Sequence, residues 1–97
     1  MTQFSLKDQV CYISGELTQN EVIKLWPQRN TLISDTTEMM DLSQLAFVDS
    51  AGLAFLITLW QEYQQQGKKL IMMSPSTQVK NLIELYNLQS AFSHSLK

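Results

Sequence analysis

The residues best placed to do chemistry are Val48-Asp49-Ser50-Ala51-Gly52, which join an apolar stretch to the start of a helical one. A serine at a strand-to-helix turn suggests a nucleophile, but Val48 stands where the first glycine of G-x-S-x-G belongs. A nucleophilic serine also needs a base held beside it, and the single histidine, His94, lies close to the C-terminal Lys97. Asp41 and Asp49 flank the same apolar stretch. General acid-base work needs both carboxyls in one cleft, and Asp41 reads instead as a strand end or turn cap. Gly15, Gly52 and Gly67 match neither a phosphate loop nor a dinucleotide fingerprint. The lone Cys11 has no internal disulfide partner, and one cysteine with one histidine cannot build a zinc site. Set among Val10, Tyr12 and Ile13, Cys11 reads as a small core residue. These residues point to no enzyme, no metal and no cofactor.

A capping role for Asp49 or Ser50 fits better, with a side chain accepting from a backbone N–H two or three residues on. Such a helix start presents backbone donors at the positive end of the helix dipole. An acidic group, or a phosphate on Ser50 itself, is favoured there. Ala51 and Gly52 are expected to leave the first turn bare, so that a partner's backbone can approach.

The elements that must position this turn follow from periodicity. Phe4–Lys7 alternates apolar and polar, Asp8-Gln9 turns, and Val10–Ser14 is rich in β-branched and aromatic residues, predicting a hairpin. Thr18 opens a helix, with Glu21 completing a capping box. Val22, Leu25 and Trp26 share its inner face, and Pro27 kinks or restarts it near Trp26. Met39–Leu42 and Ala46–Val48 read as a strand pair or one broken strand. A helix over residues 50–66 carries Leu53, Leu56, Ile57, Trp60 and Tyr63 on one side, with Leu59 at the edge and Phe55 opposite. Gly67 ends it in the left-handed conformation. Lys69–Met73, apolar without alternation, predicts a strand buried on both faces. Ser74-Pro75 begins a last helix with proline at its first position, an inner stripe of Val79, Leu82, Ile83 and Tyr86, and Asn87 as C-cap. Ser90–Lys97 reads as a tail or a short last element. The order β-β-α-β-α-β-α predicts a single α/β domain over 1–97, with its core about 4–90. Its four-stranded sheet is mixed but mainly parallel, with helices packed against it.

Composition narrows the function classes. Seven basic against nine acidic residues give a net charge of −2, without the basic stripe of a nucleic-acid binder. Charged residues are only 16%, and eleven Gln and ten Ser take their place, a surface easier to bury against another protein. No run of about 20 apolar residues could span a membrane, and the N-terminus lacks a signal pattern, so a cytoplasmic location is expected.

In open α/β sheets, binding surfaces form beyond the carboxyl ends of parallel strands. Residues 16–19, 49–52 and 74–77 are expected to meet there. The candidate partner-binding residues are Leu17, Asp49, Ser50, Ala51, Gly52 and Phe55, with Phe55 an exposed aromatic anchor.

The element order, Gly15-Glu16-Leu17 after the second strand and Asp49-Ser50-Ala51-Gly52-Leu53 at the helix start resemble the STAS domain family over residues 4–90. Leu25-Trp26 and Leu85-Tyr86-Asn87-Leu88 look like its branch of small cytoplasmic subunits of Gram-negative phospholipid ABC transporters. That resemblance implies a non-enzymatic subunit bound to the transporter's ATPase, in a complex with permease and lipid-binding subunits, peripheral to the inner membrane and maintaining outer-membrane lipid asymmetry. Members of that branch often carry Thr where this chain has Ser50. Serine is what the phosphorylated anti-sigma-factor antagonists of the wider family carry, so the alternative is a partner-switching antagonist controlled by phosphorylation of Ser50.

Overall fold

Alternation and a tight turn build the first hairpin. The computed structural model describes residues 2–86. β1 (Thr2–Lys7) and β2 (Val10–Leu17) pair antiparallel, from Thr2 opposite Gly15 to Lys7 opposite Val10. Asp8 takes a φ of 56° in the turn, a conformation that Asp tolerates better than most residues. β2 continues past the expected Ser14 because β3 (Met39–Val48) gives it a second partner, with Leu17 opposite Val48. β3 is one strand of ten residues rather than a pair, and irregular register near Ser14 and Glu16 lets it follow β2.

α1 (Gln19–Leu25) starts at Thr18 as expected, but Thr18 makes no side-chain cap. Glu21 turns instead to the start of β1, where its carboxylate accepts from the Thr2 backbone N–H at 2.9 Å. The predicted capping box is therefore absent. Trp26–Thr31 continues as a 3₁₀ helix with Pro27 in its first turn, where a missing backbone donor costs little.

α2 (Ser50–Gln65) is rotated from its predicted stripe. Gly52, Leu53, Phe55, Leu56, Leu59 and Tyr63 are its buried residues, whereas Ile57 and Trp60 are only half-buried. The helix packs against α1 as well as against the sheet, so its apolar arc turns toward both. Gly67 has φ +78° and donates to the Gln64 carbonyl oxygen at 2.9 Å, closing the helix as predicted.

β4 is only Ile71–Met73, paired parallel to Met39–Asp41. Ile71 and Met73 are half-buried, not covered on both faces, because the helices pack on one face of the sheet. α3 (Thr77–Leu85) is capped by Ser76, whose hydroxyl oxygen accepts from the Val79 N–H at 3.3 Å. Pro75 precedes the cap, two positions outside its predicted place at the start of the helix. Asn87 and the segment 90–97 lie outside the described residues.

The strand order is β1-β2-β3-β4, with β1/β2 antiparallel and the other two pairs parallel. The expected mixed, mainly parallel four-stranded α/β sheet is found. Cys11, Ile13, Met40, Leu42, Leu45 and Met72 meet the helices in one core. Burial pushes the Cys11 thiol up to about 12, so it stays protonated at neutral pH, a small apolar group as the sequence implied.

Candidate partner-binding site

The site forms where β2 and β3 end together. Val48 is the last buried residue of β3, and Asp49 follows in extended conformation as the N-cap of α2. Its Oδ1 accepts from the Gly52 N–H at 2.8 Å and its Oδ2 accepts from the Gln19 N–H at 3.0 Å. One carboxylate thus holds the first turns of both α1 and α2. The Asp49 N–H donates to the Leu17 carbonyl oxygen at 3.3 Å, and the Asp49 carbonyl oxygen takes the first helical bond from Leu53 at 2.9 Å. Ser50 is exposed at the head of α2, and Ala51 beside it is half-buried.

Three of the candidate residues sit beneath this surface rather than on it. Leu17 is fully buried at the end of β2. Gly52 is buried too, and a Cβ there would meet the Leu17 carbonyl oxygen at 2.0 Å. The close approach that requires glycine is therefore by the chain's own strand, not by a partner. Phe55 is 2% exposed, not the expected surface aromatic. Its ring lies 6.2 Å from that of Trp26, tilted by 55°, under the cover that α1 and the 3₁₀ helix provide. Trp26 is the outer aromatic, 44% exposed. The Arg29 guanidinium sits 4.1 Å from its ring centre and reaches the Glu62 carboxylate at 3.4 Å.

Of the three segments expected to meet, the first two join through Asp49 and Leu17. The third contributes through Gln78, one residue beyond its predicted end. The Gln78 amide accepts from the Val48 N–H at 3.0 Å and donates to the Val48 carbonyl oxygen at 2.7 Å. That side chain imitates a neighbouring strand where β4 has already stopped, and so pins α3 to the end of β3.

The surface also holds a feature that the predicted stripe hid. Ser50, Leu53, Ala54 and Ile57 of α2 and Tyr86 after α3 line a trough of about 200 Å³. Ser50, Ala54 and Ile57 stand four and three residues apart, the spacing of one helix face, so the signal was present in the sequence. Among the described residues, none that lines this trough is charged. The single charge on α2, Glu62, is turned to Arg29 instead. Among the described residues, no group of three His, Cys, Asp or Glu could hold a metal ion. No described helix is long and apolar enough to cross a membrane.

Comparison with known proteins agrees with this geometry. The family described as "Mlab, STAS domain" matches residues 1–93. The chain belongs to that family. It is 36% identical over 76 residues to the "Intermembrane phospholipid transport system binding protein MlaB" of Escherichia coli K12, covering 78% of this chain and 77% of that one. The Haemophilus influenzae protein of the same name is 30% identical over 82 residues, covering 79% and 78%. Among solved structures, an anti-sigma factor antagonist from Mycobacterium paratuberculosis superposes with a TM-score of 0.72 at 21% identity, covering 99% of this chain and 83% of that one. The phosphorylated Bacillus cell fate determinant SpoIIAA gives 0.69 at 17% identity, covering 100% and 89%. At these identities the structural likeness shows the STAS fold itself.

Proposed function

We propose that this chain is a non-enzymatic accessory subunit of an intermembrane phospholipid transport system, docking on that system's ABC ATPase through the face around Ser50. The observation that carries the reading is the 36% identity to the E. coli transport-system protein over more than three quarters of both chains. The assembly includes the permease and lipid-binding subunits, and the chain resides in the cytoplasm, held at the inner membrane through its partner. The contact centres on exposed Ser50 and on Ala51, with Asp49 at its edge. Leu17, Gly52 and Phe55 shape it from beneath. The trough beside Ser50, whose described lining carries no charge, suits an apolar side chain of the partner, since a charge there would have to be desolvated. Bound there, the chain acts by differential contacts with two conformations of the ATPase, shifting it toward the competent one without touching nucleotide.

A tagged pull-down from membrane and cytoplasmic fractions, read by mass spectrometry, tests the reading. Recovery of an ABC ATPase with its permease is expected. Ser50→Arg is expected to abolish that recovery while leaving the stability read from urea unfolding within about 0.5 kcal/mol of wild type, as for other surface changes. Recovery of a small kinase-like ATPase instead, with phosphate on Ser50, would mean an anti-sigma-factor antagonist and overturn the proposal.

A further inference from the structure

We infer that Asp49 is a positioning residue that joins α1 to the docking turn, so that partner affinity depends on a bond on the α1 side of the site. The inference rests on the reading above and concerns the same surface. An N-cap carboxylate needs only one backbone donor of its own helix to do its work. Asp49 takes two, from Gly52 of α2 and from Gln19 of α1, one on each oxygen. The second bond spans 30 residues of sequence and fastens the 18–19 rim of the site to its 49–51 rim.

This fastening carries weight because α1 has little else to hold it. Neither α1 nor the 3₁₀ helix has a fully buried residue, and Ile23 is 65% exposed. Their remaining anchors include half-buried Val22 and Leu25, the Trp26 ring against Phe55, the Arg29–Glu62 ion pair, and Glu21 at the start of β1. Releasing the Gln19 N–H frees the rim beside Ser50 to shift, and a partner must then restore its position at a cost in affinity.

Two substitutions cut the same bond from opposite ends. Gln19→Pro removes the donor and sets the proline Cδ where the N–H pointed, so the Asp49 oxygen must also move away. Position 19 is the first of the helix, where proline is favoured, and Thr18 before it is already extended at φ −114° and ψ 175°, as a residue before proline should be. Asp49→Ser keeps a cap for α2, but a single hydroxyl oxygen cannot reach both helices. Each variant is expected to weaken binding to the purified ATPase subunit of the same transport system about tenfold, as loss of one charge-assisted bond does. The double variant is expected to be no weaker than the worse single one, because both remove one interaction. In amide exchange, the Val22 N–H, bonded to the Thr18 carbonyl oxygen, is expected to lose protection in both, and the Leu53 N–H, bonded to that of Asp49, in neither. Wild-type affinity in Gln19→Pro, or additive losses in the double variant, overturns the inference. Unchanged Val22 protection overturns it too, with no ATPase involved. A wild-type chain that fails to bind the ATPase brings down the proposed function instead, and the exchange result then judges the clamp alone.

Discussion

An alanine at position 52 would set its methyl group 2.0 Å from the Leu17 carbonyl oxygen, a contact that only backbone movement can relieve. Gly52→Ala is expected to cost about 3 kcal/mol, read as a lowered urea midpoint. Ala51→Gly next to it, in a half-buried position, is expected to cost about 1 kcal/mol. Gly52 shows what could be read from the sequence at this scale. Its type and place at a helix start were plain, and so was a cap at Asp49 or Ser50, which the structure gives to Asp49. The direction from which backbone approaches was not, because that depends on where β2 ends in space. Phe55 went astray for a related reason. A helical wheel drawn for one apolar side cannot register that α1 and the 3₁₀ helix cover a second side.

Gln78 works at the scale of elements, since it holds α3 to a strand that has no further strand beside it at Val48. Gln78→Ala removes two hydrogen bonds and is expected to cost about 2 kcal/mol. Amide exchange along Lys80–Leu85 should quicken well before that of α2, and equal quickening in both helices would count against the pin. The order of the strands and α-helices was legible from apolar spacing and turn residues, although Met39–Val48 read as a pair or a broken strand and is one strand. Their ends were less so. Ser76 was available as a cap one residue after Pro75, yet the preference of proline for a first turn gave the opposite reading. β4 was drawn too long because an apolar run does not reveal where its neighbour stops pairing. The Trp26–Thr31 segment shows the converse, for Pro27 marked a restart near Trp26, though not that the new segment is 3₁₀.

Acid sensitivity belongs to the whole molecule, because Glu21 links the first strand to the first helix. The Thr2 N–H and hydroxyl donate to its carboxylate at 2.9 and 3.2 Å. These bonds, the backbone one foremost, hold the Glu21 carboxyl below its ordinary range despite some desolvation. A carboxyl lowered in the folded state contributes stability above its unfolded value, about 4.3, and loses it as pH falls through the folded value. Urea unfolding at pH 6 and pH 3 tests this. The advantage of wild type over Glu21→Gln is expected to be full at pH 6 and smaller at pH 3. An equal difference at both values would show that the carboxylate charge contributes nothing.

The strand order β1-β2-β3-β4 is also the order of synthesis. No strand has to be inserted between two that have already paired, and each new one finds its docking edge waiting. β1 and β2 close across a two-residue turn, so the hairpin can form before the rest of the chain has emerged from the ribosome. β3 then adds to the exposed side of β2, and β4 to the exposed side of β3. Released at about 5–20 residues per second, the chain builds its sheet outward from the N-terminus. The last pin, Gln78 on Val48, closes only after both parallel crossovers are complete.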